Sequence, residues 1–538
     1  MDTRVFKVSE IPERVISGKN IRYSVQMIRL AIFLLVSCNL SAKCIPLVLL
    51  GILNAAGFKN MQLPKYGFFT KIRSMLSNLN RTRMIQFCTN AKDLCICFDA
   101  SSFSTKQGSI LALSLIDDNA KNHLIAMIEH NEKAVGELQH ILDVRVILQT
   151  LQATFGDSFD MVVSKISVVL SDDCQHARQL RNHLKDELDR LYPKAIKRQG
   201  KRCLIHVANL AEDYILRQLP LLMPFLKKIS PLLSKPKNAS TGSLFNLWNG
   251  HKIVYAHGAR FFVHGSNAVA IFSSYNHLVE LLIKYKKSSI SAAQLLQMMN
   301  DNQLFSQLAV MARLSSFVHN IWAMVTVKQS KRDLIDNIKH IQSQIEMVES
   351  GTFTIEEIVD NLSRNEEVDR VAHQKYIAEF SNNQEVQTKT REVFLHFTGK
   401  IMDLMKPYLE TEDSNGINTE ADDLDMVMDP TNLAIERSFG ILKFFEGRFI
   451  QLSFGCLSAL TIAKFNDLPQ WLPAFDDEEL LHAHDSERSN QSISRDVHLI
   501  QKIHMQANTE RSLNQVIIVD FEIIISFDSM ISAINCRQ

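Results

Sequence analysis

The sequence predicts an α/β domain with a mixed sheet that is interrupted by a long all-helical insertion. Residues 93–218 alternate short apolar runs with amphipathic stretches in the order βββαβαβα, and such a pattern gives a mixed sheet with helices on its faces. Residues 219–408 have an almost wholly helical pattern. A chain of 538 residues has room for roughly two to four domains of ordinary size. We therefore expect an α/β plus all-α architecture.

The strands of the predicted sheet are apolar runs that end in turn or acidic residues. The first three are "DLCICFDASS", "SILALSLIDD" and "HLIAMIEHN", and the turn signals between them predict two successive hairpins. A helix is predicted over 138–153, followed by the strand "ISVVLSDD" and a long amphipathic helix over 175–191. The fifth predicted strand is "KRCLIHVA", which runs into another helix.

The other segments are divided where the composition changes. We predict a helical N-terminal region over 1–92, the first part of the sheet domain over 93–218, and a helical insertion with an acidic connector over 219–428. Residues 429–475 complete the sheet domain and begin with Asp429 and Pro430, which suit a helix start. Residues 476–538 are predicted to be an acidic, polar and poorly ordered tail.

The helix predicted after Pro430 carries a carboxylate and a guanidinium side by side, at Glu436 and Arg437. Four apolar residues at helical spacing form its predicted buried stripe, namely Leu433, Phe439, Leu442 and Phe445. Taken alone, the segment is typical of a core helix with a solvated edge. A chemical role for Glu436 depends on whether other acids in the chain are placed to meet it.

Composition and charge describe an ordinary soluble protein. The apolar content is 46%, the charged content is 22% and the net charge is +1, so there is no global basic field and any polyanion site must be a local patch. The nine cysteines have no paired framework, which suits a reducing compartment. The apolar run Met27–Leu53 contains a central Lys43, and two buried helices explain it better than a membrane span. We expect no membrane and no small-molecule substrate.

Two acids stand at the ends of strands that we expect to be neighbours. Asp99 ends the first strand of the sheet and Asp172 ends the fourth, and ligands of open α/β sheets gather at such strand ends. Close carboxylates repel each other unless a cation lies between them, and hard oxygen ligands suit Mg²⁺ or Mn²⁺. Glu436 is the best third carboxylate for a two-metal site. For any one of these acids alone, a turn or cap role is the ordinary explanation.

These motifs together resemble those of hAT superfamily transposases, whose RNase H-like core is interrupted by a helical insertion. The resemblance covers about residues 28–472 and rests on "FDASS", on "VLSDDC" and on the acid-Arg block that continues to Phe439 and Gly440. It implies an RNase H-like mixed sheet and Mg²⁺-dependent (or Mn²⁺-dependent) DNA cleavage and strand transfer. By motif position, the catalytic and metal-binding residues would be Asp99, Asp172 and Glu436.

The resemblance also implies DNA contacts and a nuclear location. The family's Cys-x-x-His motif is matched by Cys203 and His206, and its Arg-Trp pair by Arg260 and Phe261, where Phe replaces a Trp that stacks on a base. The BED-type zinc finger that usually opens this family has no match here. DNA contacts would then fall to Arg437 and to a basic loop made of Lys194, Lys197, Arg198, Lys201 and Arg202. For this loop and for Phe261, a solvated loop and a core phenylalanine remain open alternatives.

The sequence leaves two further alternatives open. The stretch "GRFIQLSFGCLSALTIAKFNDLPQWL" has more apolar residues than a thin surface segment can bury, which predicts at least a homodimer; packing back onto the sheet of the same chain is the competing explanation. The Phe261 replacement and the missing finger also allow a domesticated or inactive transposase-derived scaffold that binds DNA or protein.

Overall fold

The structure, a computed structural model, describes most of the chain up to residue 485. The described residues are 15–17, 20–22, 25–55, 63–102, 109–130, 137–172, 174–193, 198–233, 248, 250–254, 262–287, 289–355, 357–358, 367–409, 427–428, 431, 433–449 and 452–485. All statements about the structure refer to these residues.

Five strands form one mixed sheet in the order β5-β4-β3-β6-β7. The strands are β1 (Val15–Ser17), β2 (Asn20–Arg22), β3 (Leu94–Ser102), β4 (Ser109–Asp117), β5 (Asn122–His130), β6 (Ile166–Ser171), β7 (Gln199–Arg202), β8 (Gln329–Ser330) and β9 (Val427–Met428). Strands β3, β4 and β5 are antiparallel neighbours, whereas β6 and β7 run parallel to β3. The antiparallel pairs β1-β2 and β8-β9 form two small separate sheets, of which only β1-β2 is a hairpin. The predicted mixed sheet is therefore confirmed.

The rest of the described chain is mostly helical. The helices are α1 (Val25–Val36), α2 (Ile45–Ala55), α3 (Tyr66–Asn90), α4 (Glu137–Phe155), α5 (Phe159–Ser164), α6 (Gln175–Leu191), α7 (Leu204–Arg217), α8 (Leu222–Leu233), α9 (Val263–Ser273), α10 (Tyr275–Tyr285), α11 (Ile290–Met299), α12 (Asn302–Val325), α13 (Lys331–Glu349), α14 (Glu367–Phe380), α15 (Gln384–Leu409), α16 (Leu433–Arg448), α17 (Phe454–Phe465), α18 (Leu468–Trp471) and α19 (Asp477–Asp485). Helices α1 and α2 confirm that the apolar run Met27–Leu53 is a helix pair.

Both faces of the sheet are buried, because successive apolar side chains along each strand point to opposite faces. Ile96 and Phe98 of β3 pack into a core with α4 and α6, whereas Cys97 between them packs into a second core with α1, α3, α16 and α17. This alternation follows from the two-residue period of a strand. Helix α16 therefore lies on one face of the sheet, and α4 and α6 lie on the other.

The helical insertion forms a third core that begins one helix earlier than the sequence predicts. Buried residues from Cys203 to Tyr408 make one cluster, and α7 belongs to it, so the boundary at residue 219 does not separate two cores. The Tyr408 hydroxyl at the end of α15 donates to the Arg202 carbonyl of β7. The insertion is thus fixed to the edge strand of the sheet at both of its ends.

One helix of the described chain passes a length and hydropathy test for a membrane span. Helix α12 has 24 residues, but 72% of its most apolar window is buried inside the protein. It packs against α7, α9, α13, α14 and α15. A helix surrounded in this way is typical of the centre of a helical domain.

The apolar segment after α16 packs onto its own chain. Leu457, Leu460 and Ala463 of α17 are buried in the core shared with α3 and the sheet. Beyond α17, the Asn466 side chain accepts from the Leu124 amide at 2.9 Å and donates to the Leu124 carbonyl at 2.9 Å, on the edge strand β5. The surplus of apolar surface that predicted a dimer is therefore used within the chain. The homodimer stays a prediction, and this segment no longer supports it.

Four details of the sequence prediction are wrong. The fifth strand is Gln199–Arg202, and "LIHVA" opens α7 instead, because its apolar residues also fit the helical period. Leu433 is 43% exposed, and Ile435 takes its place in the buried stripe of α16. The hairpin β1-β2 lies in the region predicted to be helical. The predicted tail begins with α19, whose Leu480 is buried against the α1 and α3 core; residues 486–538 lie outside the described part.

Candidate carboxylate site

The sheet brings Asp99 and Asp172 together at the carboxyl ends of two neighbouring inner strands. Strands β3 and β6 are parallel neighbours, and Phe98 is in register with Ser171, so Asp99 and Asp172 are the next residues along two adjacent strands. This arrangement confirms the predicted adjacency of the first and fourth strands of the sheet. It also follows the general rule that polar ligands of such sheets are placed at the carboxyl ends of the parallel strands. Asp99 was also predicted to end its strand, which is wrong, because β3 continues to Ser102.

Helix α16 carries Glu436 to the same strand ends. Ile435, Leu442 and Phe445 bury one side of this helix in the core that also contains Cys97 of β3 and Leu170 of β6. Glu436 lies in the first turn, next to Ile435, and its side chain is 29% exposed. The buried stripe thus fixes the helix on the sheet, and the Glu436 carboxylate is left at the rim beside the strand ends.

Burial and the neighbouring carboxylates raise the pKa of Asp99 and of Glu436. Burial, and after it the charge of Glu436, raises the pKa of Asp99 from 3.8 to about 8, although the Ala100 N–H donates to its Oδ1 at 2.8 Å. Burial and the charge of Asp172 raise the pKa of Glu436 from 4.5 to about 7. Such mutual repulsion shows that the acids share one poorly solvated space. A divalent cation would remove the repulsion and favour the ionised forms.

His206 of the Cys-x-x-His motif lies between two of these acids. Its Nε2 is 3.5 Å from Asp172 Oδ2 and 3.7 Å from Glu436 Oε1. Cys203, three residues earlier, is fully buried and its amide donates to the Ser171 carbonyl at 2.9 Å. The two residues of the motif therefore have different roles. The Cys203 backbone joins the start of α7 to the end of β6, and this contact places the His206 imidazole beside the carboxylates.

A buried arginine that the sequence analysis missed holds the end of β6. Arg181 of α6 is 3% exposed, and its Nη1 donates to Ser171 Oγ at 3.1 Å and to the Asp172 carbonyl at 3.2 Å. Arginine is suited to this task because its planar group makes several hydrogen bonds at once. Arg181 thus fixes the backbone from which the Asp172 side chain projects.

The basic loop predicted to contact DNA is partly buried. Arg198 is 1% exposed and pairs with Asp189 at 3.1 Å, and Lys201 is 4% exposed with its Nζ 5.0 Å from the centre of the Tyr408 ring. Burial lowers the pKa of Lys201 to about 8. Neither side chain is available to neutralise a phosphate on the surface, so this part of the prediction fails. Both residues instead help to hold β7 and its neighbours in place.

The other predicted DNA contacts have mixed outcomes. Arg437 is exposed on α16, next to Glu436, and Arg202 is partly exposed at the end of β7. Lys194, Lys197, Arg260 and Phe261 lie outside the described residues. The next residue, Phe262, has a left-handed backbone with φ of 58° and is buried beside the rings of His319 and Trp322. Of the predicted DNA-contacting cations in the described part, Arg202 and Arg437 are therefore the ones that keep solvent exposure, and Arg437 is the one next to a carboxylate in the chain.

A second cluster of ionisable side chains was also missed. His140 and Asp143 on α4 lie against His176 on α6, with ligand atoms within 4.8 Å of one another. A sequence signal for it exists. His140 and Asp143 are spaced i, i+3, and His176 and His183 are spaced i, i+7, so each pair lies on one face of its helix.

Comparison with known proteins adds no identification: no family model matches the chain, and no curated protein matches it at a significant level. The fold and the placement of these side chains are therefore the observations that bear on function.

Substitution of Arg181 should disturb the carboxylate site without touching a carboxylate. We expect Arg181→Met to lower the free energy of unfolding by about 2–3 kcal/mol, because buried hydrogen bonds from a charged donor are lost. It should also weaken Mn²⁺ binding, because the Asp172 backbone is released. Arg178→Met is the matched control, since Arg178 is exposed on the same helix and surface changes cost about 0.5 kcal/mol or less. Equal stability and equal Mn²⁺ affinity of the two variants would contradict this role.

Proposed function

We propose that this chain is a hAT-like transposase or a transposase-derived protein that cleaves DNA and transfers strands with a divalent metal. Asp99, Asp172 and Glu436 form the catalytic carboxylate set and hold Mg²⁺ or Mn²⁺. The proposal includes an RNase H-like core, DNA as the partner and a nuclear location.

The strand order supports the RNase H-like part of the proposal. Three antiparallel strands connected in sequence are followed by two strands parallel to the first of them, which lies at the centre of β5-β4-β3-β6-β7. The long helical insertion falls between β7 and the helix that brings the third acid. The resemblance to hAT transposases implies a mixed sheet with such an insertion, so these two features support it.

The observation that carries the proposal is the convergence of three acids from distant parts of the chain. Asp99 lies near the carboxyl end of β3 and Asp172 directly follows the neighbouring strand β6. The charge of Glu436 is the largest electrostatic influence of another ionisable group on Asp99. Groups with strongly shifted pKa values in a shared, half-buried space are typical of functional sites, although structural networks can also shift them. Here the repulsion has a cost to the fold, so a role in cation binding explains it better than a structural one.

The donor set fits a hard divalent cation. Carboxylate oxygens are the preferred protein ligands of Mg²⁺ and Mn²⁺. The raised pKa values of Asp99 and Glu436 indicate crowded negative charge that a bound cation would neutralise. When bound, the metal would supply Lewis-acid polarisation of a phosphodiester. His206 is placed to orient the Asp172 and Glu436 carboxylates, and the exposed Arg437, next to Glu436 on α16, would attract phosphates to this rim.

A scaffold that keeps the fold but not the chemistry is the second candidate. The burial of Arg198 and Lys201 favours it, because these cations were predicted to contact DNA and instead pair inside the protein. A scaffold of this kind has no need of a cation, so the retention of three mutually repelling acids is the observation against it.

The proposal is tested by incubating the full chain with supercoiled plasmid DNA and Mg²⁺. We expect nicked circles whose formation stops with a chelator and returns with Mn²⁺, and whose rate falls as salt is raised, because phosphate contacts release counterions. Nicking that continues in the presence of chelator, or no nicking with either metal, would contradict the enzymatic function.

A further inference from the structure

The cluster between α4 and α6 lies outside the carboxylate site. Its helices cover the face of the sheet opposite to α16, since α4 and α6 belong to the core of Ile96 and Phe98, and α16 to the core of Cys97. Neither the carboxylate site nor the DNA contacts proposed above use its side chains. The cluster therefore requires an explanation of its own.

The geometry of the cluster is that of converging ligands. His176 Nε2 is 3.2 Å from Asp143 Oδ2, and the His140 ring centre is 4.6 Å from that of His176. The His183 ring lies nearly parallel to His140, with 5.9 Å between the centres and 16° between the planes. One donor atom from each of His140, Asp143 and His176 lies within 4.8 Å of the other two.

Burial makes this cluster costly without a bound cation. His140 is 5% exposed and Asp143 is 3% exposed, whereas the His176 side chain is 41% exposed. The Nδ1 atom of His140 is buried and makes no hydrogen bond to any residue in the described part of the chain. A buried polar atom without such a bond is unfavourable. The exposed side of His176 leaves a route by which an ion can enter from solvent.

We propose that His140, Asp143 and His176 bind one Zn²⁺ ion. Two imidazole nitrogens and one carboxylate suit this borderline cation, which takes three protein ligands and a water in open sites, whereas Mg²⁺ prefers oxygen donors. His183 lies behind His140 and supports its ring. The ion joins α4 to α6 close to the start of α6, and α6 begins three residues after Asp172. Zn²⁺ therefore stabilises the element that also carries Arg181. The proposal does not depend on the chemistry of the carboxylate site.

The test is calorimetric titration of the metal-stripped full chain with Zn²⁺. We expect His140→Gln and His176→Gln each to weaken this binding by about 100-fold or more, because loss of even a supporting partner behind a ligand costs about 10–100-fold. His183→Gln should have the smaller, supporting effect. Co²⁺ in place of Zn²⁺ should give visible absorption bands in the wild type that His176→Gln removes.

Two controls separate this site from others. His396→Gln removes an exposed histidine of α15 and should leave Zn²⁺ affinity unchanged. Asp172→Asn disables the carboxylate site and should leave the Co²⁺ bands in place. Unchanged affinity in both His140→Gln and His176→Gln would overturn the proposal, as would loss of the Co²⁺ bands in Asp172→Asn alone, which would locate the ion at the carboxylates. If circular dichroism shows that His140→Gln does not fold, the half-exposed His176 decides the outcome.

Discussion

Replacement of Asp99 by Asn should lower Mg²⁺-dependent nicking of plasmid DNA by about 10³-fold or more. Asn keeps the shape of the side chain and an oxygen that can accept from the Ala100 N–H, but it removes the negative charge that holds the cation. A metal ion stabilises the developing charge of the transition state by several kcal/mol, and each 1.36 kcal/mol is about tenfold in rate. The initial rate of nicked-circle formation, at fixed protein and plasmid concentration, measures the effect.

The matched control for Asp99→Asn is Asp403→Asn, the same chemical change at an exposed position of α15. This control should retain the wild-type nicking rate. A nicking rate in Asp99→Asn that equals the control would reject Asp99 as a catalytic residue. Circular dichroism on both variants checks that the comparison is between folded proteins.

The metal-free protein should become less stable as the pH rises from about 4 to about 8. Asp99 and Glu436 have folded-state pKa values raised from 3.8 and 4.5 to about 8 and about 7. The folded protein therefore keeps protons that the unfolded chain releases, so in this window stability falls as the pH rises. Removing the charge should then help the fold. We expect Asp99→Asn and Glu436→Gln each to raise the free energy of unfolding by about 1–3 kcal/mol at pH 8, since one pKa unit corresponds to about 1.4 kcal/mol.

Urea unfolding at pH 5 and pH 8 with chelator present measures this stabilisation. The gain in stability should be large at pH 8 and small at pH 5, where both carboxyls are already protonated in the folded protein. Asp403→Asn should show no such pH dependence. Destabilisation by Asp99→Asn and Glu436→Gln at pH 8 would mean that the carboxylates stabilise the fold as ion pairs, and it would remove the argument for a cation site. A variant that is more stable and inactive is the ordinary signature of a functional site.

The sheet and two of its acids could be predicted because their signals are local. The strands follow from apolar runs bounded by turn residues, and β4 and α6 have nearly the predicted bounds. The adjacency of Asp99 and Asp172 then follows from the element order. Glu436 is different, since only its position in a motif suggested that a distant helix returns to these two acids. The burial pattern of α16 gives the physical reason, as Ile435 and Phe445 place that helix on the sheet.

The roles of individual cations could not be read from the sequence. Arg198 and Lys201 stand in a run of basic residues, and such a run usually indicates a solvated loop. Both are buried in the structure, because Asp189 of α6 pairs with Arg198 and the Tyr408 ring of α15 packs against Lys201. Arg181 is the reverse case. In the sequence it is one polar residue of an amphipathic helix, and only its tertiary contacts with Ser171 and Asp172 show that it has a structural role.

The histidine cluster has a sequence signal in its residue spacing, but this spacing alone does not predict a site. The i, i+3 spacing of His140 and Asp143 and the i, i+7 spacing of His176 and His183 each define one helix face. What the sequence lacks is the pairing of the two faces, which depends on how α4 and α6 pack on the sheet. A tertiary arrangement therefore decides whether such spacings have meaning.

Titration of the metal-free full chain with Mn²⁺ at pH 7 tests the central claim, that Asp99, Asp172 and Glu436 form one cation site. Heat measured in two buffers of different ionisation enthalpy also counts the protons released. We predict Mn²⁺ binding with release of roughly one proton, because the carboxyls of Asp99 and Glu436 must ionise to bind metal. Asp172→Asn should abolish this binding, and His176→Gln should retain it. Absence of Mn²⁺ binding by the wild type, or equal binding by Asp172→Asn, would contradict the claim.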